Sequence, residues 1–263
     1  MTARERLETV TRLAEMAATP GGMTALRTWR PLSIAAFRLV HGLAAEGLSF
    51  ATVIDVGASV GKFSRAVLGM WPDAAVIAFE ALPAAAVELQ AMAQLRARVE
   101  LHQVALGAHD GTITFYPHEY SLSSSPLPVS ADIQRRYRWA RETPPIEVPV
   151  RRLDAVLAGR VLAGPVLLKL DVQGYELEVL KGGTAVLGQV EAVLLEVSLI
   201  PINTGAPAFA EVIAFLDRAG FQLFDFCSQV RRTDGVLWQT DLLFLRAGSR
   251  YAPEPRLTRE NWG

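Results

Sequence analysis

An aspartate and two glycines, in the run Asp55-Val56-Gly57-Ala58-Ser59-Val60-Gly61, precede a glutamate, Glu80, that ends the next apolar stretch. The glycines permit a tight turn and a close approach of a ligand to the backbone. A helix starting near Gly61 leaves its first N–H groups aimed at that turn. A carboxylate at Glu80 can accept hydrogen bonds from two ribose hydroxyls. Together these residues suit a nucleoside. Two more acids, Asp171 and Glu196, stand at the ends of apolar runs, where either could take a proton from a reacting hydroxyl. Asp171 could equally cap the helix that follows it. Glu196 sits inside Val193-Leu194-Leu195-Glu196-Val197 and needs a partner or a raised pKa.

The loop spacing separates the possible ligands. A dinucleotide fingerprint wants a middle glycine two residues after the first, and here that residue is Ser59. A P-loop wants four residues between its glycines and a hydroxyl after the lysine, whereas Phe63 follows Lys62. The spacing Asp-x-Gly-x-x-x-Gly fits S-adenosylmethionine, which has no pyrophosphate. Methyl transfer from a sulfonium is an in-line displacement, so alignment and proton removal are the enzyme's work. His118, in the irregular run Pro117-His118-Glu119-Tyr120-Ser121, is a further candidate base. Asp171 and Glu196 could instead hold a divalent cation, but the adjacent oxygen ligands such a site needs are missing, so no metal is expected. A nicotinamide oxidoreductase and a non-catalytic binding module are the competing classes.

Alternating strands and helices must place these groups. Strands are expected at Thr52–Val56, Ala75–Glu80, Val99–Leu106, Val166–Val172 and Ala192–Ser198, with helices near Gly61, Pro83, Glu176–Leu187 and Phe209–Ala219. Gly111–Tyr116 reads as a strand that could pair with the one before it. Phe221–Cys227 and Val236–Arg246 read as a closing antiparallel hairpin. Helices at Thr2–Ala18 and Leu32–Glu46 precede the first strand, where they could cover a pocket, pair two copies or pack on the sheet. Residues 117–149 abandon the alternation and read as a lid, with a helical piece at Ala131–Arg141 and a basic, aromatic face. The division is 1–48 as an N-terminal helical appendage, 49–248 as the main domain and 249–263 as a tail.

Composition narrows the class. At 263 residues and 51% hydrophobic, the chain can bury one large core. A formal charge of −1 offers no basic stripe for a nucleic acid. The lone cysteine, Cys227, excludes an internal disulfide and reads as a core thiol. No signal-peptide core or membrane-length apolar run is present, so a cytoplasmic setting without a membrane partner is expected.

The glycine loop, Val104-Ala105-Leu106-Gly107, Ser121-Leu122-Ser123-Ser124-Ser125 and above all Leu168-Lys169-Leu170-Asp171-Val172-Gln173-Gly174-Tyr175-Glu176 resemble the FkbM family of S-adenosylmethionine-dependent methyltransferases. The resemblance implies an α/β, Rossmann-like class I methyltransferase fold, a mostly parallel sheet closed by the C-terminal hairpin, with N-terminal helices. It implies O-methylation of a hydroxyl on a sugar, glycoside or polyketide-type metabolite; the N-terminal helices leave a homodimer open. The cofactor's methionine end would lie over Asp55, Gly57, Ala58, Ser59, Gly61 and Phe63, beside Asp171. Its ribose would lie at Glu80 and Ala81, and its adenine at Gln103, Val104 and Ala105. Ser123 and Ser124 would bind the acceptor. Ser59 and Ala81 depart from the family's usual asparagine and proline.

Overall fold

The computed structural model describes residues 33–95, 98–118, 124–137, 140 and 143–252, with short helical pieces between 10 and 23. Its central sheet has seven strands. They are β1 (Thr52–Val56), β2 (Ala75–Phe79), β3 (Val99–His102), β7 (Val166–Leu170), β8 (Ala192–Ser198), β9 (Phe221–Arg231) and β10 (Leu237–Arg246), in the order β3-β2-β1-β7-β8-β10-β9. β10 runs antiparallel between β8 and β9, and the pairs among β3, β2, β1, β7 and β8 are parallel. Every residue of β1 and β7 is buried, which is why both read as unbroken apolar runs.

Alternate residues feed two cores. Val53, Leu167, Leu194 and Leu243 face α1 (Ile34–Ala45), α2 (Lys62–Met70) and α3 (Pro83–Leu95), with Phe37, Val67 and Leu89 among the packed helix residues. Ile54, Leu168, Leu195 and Phe244 face the other layer. That layer holds α5 (Leu153–Val156), α6 (Glu176–Lys181), α7 (Thr184–Leu187) and α8 (Phe209–Arg218). Three layers result, with the sheet in the middle. α1 buries Phe37, Val40 and Leu43 in the same core as the sheet, so this part of the expected appendage packs on the domain. The expected Thr2–Ala18 helix lies largely outside the described residues. Cys227 is half-buried against that core rather than fully enclosed, and burial pushes its thiol up to about 12.

A second, three-stranded sheet departs from expectation. The run Val99–Leu106 splits at Gln103, where the Val104 N–H turns back to the His102 carbonyl, leaving β4 (Ala105–Leu106) as a separate strand. β5 (Gly111–Phe115) does not pair with it. Both flank β6 (Ile146–Arg151), in the order β4-β6-β5. β6 was hidden by Pro149, which removes an N–H. The strand tolerates it because β4 pairs only with Val150 and Arg151, leaving β5 as the one neighbour at Pro149. The lid's helix is short, α4 (Ala131–Arg136), and the expected Glu176–Leu187 helix breaks at Gly182, where a Cβ would stand 2.0 Å from the Gly107 carbonyl oxygen.

The glycines after β1 are also required by the protein's own packing. Gly57 has φ +74°, and a Cβ there would lie 2.0 Å from the carbonyl oxygen of Asp171. Gly61 has φ +78°, and a Cβ there would meet Leu89 at 2.7 Å. The fold itself leaves no room for a side chain at either. Gly57→Ala should therefore cost at least about 2–3 kcal/mol, a left-handed penalty plus displaced β7 backbone. Gly220→Ala, at φ +83° with nothing within 4 Å, should cost only the conformational part. Urea denaturation compares them, and equal losses would mean that the β1 turn relaxes freely.

Candidate active site

Asp55 and Lys169 are register partners on adjacent parallel strands, so both side chains point to the same face of the sheet. Each interrupts an apolar run, and each is the other's partner. Lys169 Nζ lies 3.2 Å from Asp55 Oδ1 and 3.4 Å from Asp171 Oδ2. It also donates to the Gly57 carbonyl at 3.2 Å and sits 5.5 Å from the centre of the Phe63 ring. Ser64, from α2, donates to Asp55 Oδ2 at 2.6 Å. Burial alone would pull the lysine's pKa down, but attraction to Asp55 and then Asp171 outweighs it and holds the ammonium above the ordinary lysine range.

Gly57 and Asp171, from this cluster, line a cavity of about 80 Å3 at the carboxyl ends of β1, β2 and β7. Gly57, Ser59, Glu80 and Asp171 line one part of it, and Phe79, Val104, Leu106 and Phe115 an apolar part. Ala81, Ala105, Ser124 and Tyr175 also face it. Glu80 is nearly buried and accepts from the Ser59 N–H at 2.7 Å and the Leu82 N–H at 2.8 Å, one bond to each oxygen. Burial raises its pKa, while those two N–H groups oppose the rise. Further lone pairs on each oxygen are left for a ligand. The Ser59 hydroxyl is buried and has no hydrogen-bond partner among the described residues.

Several expected residues are elsewhere. Ala58, Gly61 and Phe63 support the floor from the core side without lining the cavity. Gln103 is exposed on a shallow groove beside α3, outside the cavity, because the chain turns at that residue. His118 is buried, its N–H donating to the Ser124 hydroxyl at 3.1 Å, and it does not line the cavity either. Ser123 lies outside the described residues. Lys169, Gln173 and Tyr175 are site residues that the sequence reading missed. A charged residue in the centre of Val166–Leu170 was the available signal for Lys169, since such a group requires a buried partner.

Beyond Asp171 the carboxyl edge stays acidic. Glu196 on β8 is the register partner of Asp241 on β10. Burial, then Asp171 and Asp241, push the Glu196 pKa well above the carboxylate range. Glu176 is buried at the start of α6 and accepts from the N–H groups of Val172 at 3.2 Å and Gly174 at 3.1 Å. Burial raises its pKa to about 7. Among the described residues no group of three His, Cys, Asp or Glu side chains is placed to hold a metal ion.

Two outcomes follow from these charges. Lys169→Met leaves Asp55 buried without its counter-ion and should cost about 3–5 kcal/mol, most of it recovered by adding Asp55→Asn. A double variant as unstable as the single one in urea would reject the pairing as the cause. Glu176 titrates near 7 in the folded chain and near 4.5 when unfolded, so its contribution is full below pH 4.5 and is lost as pH rises through 7. The loss is on the order of 3 kcal/mol. Glu176→Gln keeps the acceptor without the charge, so its stability relative to the parent should rise between pH 5 and pH 8. A constant difference across that range would place the Glu176 titration elsewhere.

The pattern of the Methyltransferase FkbM domain matches residues 55–223. The chain is 30% identical over 152 residues to the 2-O-methyltransferase NoeI of Sinorhizobium fredii (strain NBRC 101917 / NGR234), covering 56% of this chain and 63% of NoeI. It is 32% identical over 143 residues to Methyltransferase 1 of Beauveria bassiana (strain ARSEF 2860), covering 49% of this chain and 57% of that protein. It therefore spans less than two thirds of either relative. Among solved structures, magnesium protoporphyrin IX methyltransferase of Synechocystis PCC 6803 aligns over 91% of both chains at 14% identity, with a TM-score of 0.46. From Asp55 in β1 to Leu223 in β9 the sequence matches that family's pattern, and the chain belongs to the FkbM methyltransferases.

Proposed function

We propose that this chain is an S-adenosylmethionine-dependent O-methyltransferase acting on a hydroxyl of a small molecule, a sugar, glycoside or polyketide-type metabolite. One observation carries the reading. A single cavity is lined by a buried carboxylate, Glu80, and by the Lys169-paired carboxylate Asp171, with an apolar wall as well. A nucleoside joined to a charged amino-acid group needs that combination. The unpartnered Ser59 hydroxyl supports the fit, since a buried polar group is ordinarily satisfied and a ligand atom would do so.

S-adenosylmethionine, when bound, supplies an activated methyl group on a sulfonium. Glu80 would hold the ribose hydroxyls with the lone pairs that Ser59 and Leu82 leave free. Phe79, Val104 and Leu106 would exclude water around the base. Asp171, its second oxygen fixed by Lys169, would face the ammonium of the methionine end. Glu196 stands next along the edge, and its carboxylate, with a proton affinity raised by burial and by Asp171, would take the proton of the acceptor hydroxyl. Ser124, on the cavity wall, would help seat the acceptor. Oxygen as the methylated atom is supported by NoeI, which is named a 2-O-methyltransferase. No metal enters this reading, and the partner is a small molecule rather than a nucleic acid.

Glu80→Ala should weaken binding of S-adenosylhomocysteine by at least about tenfold in calorimetry, because bonds to a charged acceptor contribute roughly 1.5–3 kcal/mol each. Glu80→Gln, which keeps one carbonyl acceptor, should lose less. Unchanged affinity in the alanine variant, with the fold intact by circular dichroism, rejects Glu80 as the ribose acceptor.

A further inference from the structure

Gln173 has a left-handed backbone, φ +54°, which is uncommon for a residue with a long side chain. Such a conformation persists only where its surroundings enforce it. The surroundings are specific. The Gln173 amide nitrogen donates to Asp171 Oδ1 at 2.7 Å and to Glu196 Oε1 at 2.8 Å, dividing its two N–H groups between two carboxylates. Its backbone carbonyl accepts from the Ser125 hydroxyl at 2.9 Å, and Ser125 is fully buried. Ser125 lies in the segment between β5 and β6, next to the cavity-lining Ser124. The segment expected to seat the acceptor is thereby tied to the turn that aims the amide.

We propose that Gln173 is the positioning residue of the acid pair. Ser125 holds its turn, and its amide bridges Asp171 and Glu196 so that Glu196 is aimed and able to accept a proton from the acceptor. The proposal rests on the reading of this edge as the acceptor end of the site. The alternative partners of Glu196 cannot do the same work. Asp171 just past β7, Asp241 from β10 and Glu176 from α6 are like charges that oppose its ionisation. Gln239 also donates to Glu196 Oε1, at 3.1 Å, but shares its amide with Ser198 and does not reach Asp171 by any hydrogen bond the structure forms. Lys169 neutralises Asp171 from its other oxygen, Oδ2, which leaves Oδ1 for Gln173. Asp171 is thus held at both oxygens, and Glu196 is linked to it through one side chain.

The test needs no acceptor. Glutamate carrying a 13C-labelled carboxyl is introduced into the full chain, and the Glu196 resonance is assigned by its loss in Glu196→Gln. In Gln173→Gly, a residue that suits the left-handed turn, the Glu196 midpoint should move to higher pH by about one unit or more, the effect of removing a bond to a charged acceptor. Ser125→Ala changes neither acid nor amide, yet it should move the same midpoint in the same direction by a smaller amount. An unmoved or lowered midpoint in Gln173→Gly overturns the assignment, and an unmoved one in Ser125→Ala removes the loop from it. Calorimetry of the parent chain with S-adenosylhomocysteine is read separately. If that ligand fails to bind while the titrations shift as expected, the function proposed above falls and the role of Gln173 in positioning the acids stands.

Discussion

A buried ammonium is the constraint on which the site depends. Lys169 touches the carboxylate in the middle of β1, the carboxylate just past β7 and the carbonyl of Gly57 in the turn between β1 and α2. Taking such a group out of water is costly, and only close opposite charges and hydrogen bonds offset the cost. Because all of its partners lie on the two central strands and their ends, the ion cluster is satisfied only when β1 and β7 are in register. The same contact draws the Gly57 turn against the Asp171 carbonyl so closely that no side chain fits there. Glycine at 57 is therefore a consequence of where Lys169 must reach as well as of the turn itself.

The sheet was readable in the sequence because its central strands are buried on both faces. β1 and β8 begin and end where their apolar runs do, and the antiparallel pair β9–β10 followed from two alternating runs around a polar turn. The small sheet was not readable for a physical reason. Its strands are short, β4 having two residues, and its middle strand carries Pro149, so neither length nor hydrogen-bonding capacity marks it in a one-dimensional pattern. Pairing β5 with β6 across residues 116–145 is a non-local choice, made by burying Phe115 against Val148 and Val150. No local signal contains it.

The candidate site divides along the same line. Asp55, Gly57, Ser59 and Glu80 were legible because strand, turn and strand end occur within one short stretch of chain. Asp171 and Glu196 were legible as acids closing apolar runs. Gln103 was misplaced because its strand stops one residue earlier and the chain turns, sending the amide outward. His118 looked like a loop base but is buried, near the bridge that pairs Tyr116 with Ser125. Gln173 could not be found by residue type at all. Its importance lies in a backbone conformation and in two acceptors that are far apart in sequence from each other.

The acids at the carboxyl edge show how neighbouring strands can bring like charges together and support them unequally. Asp171, Glu196 and Asp241 come from three neighbouring strands, and ionising all of them in a half-buried place is unfavourable. The chain resolves the conflict unevenly. Asp171 receives a cation and an amide, Asp241 receives the Ser228 hydroxyl, and Glu196 receives amides alone. Glu196 is thus the member whose charge is least compensated, and burial beside two like charges raises its affinity for a proton. Uneven support of this kind, set by which strand carries the lysine, is what lets three acids share one edge of the sheet.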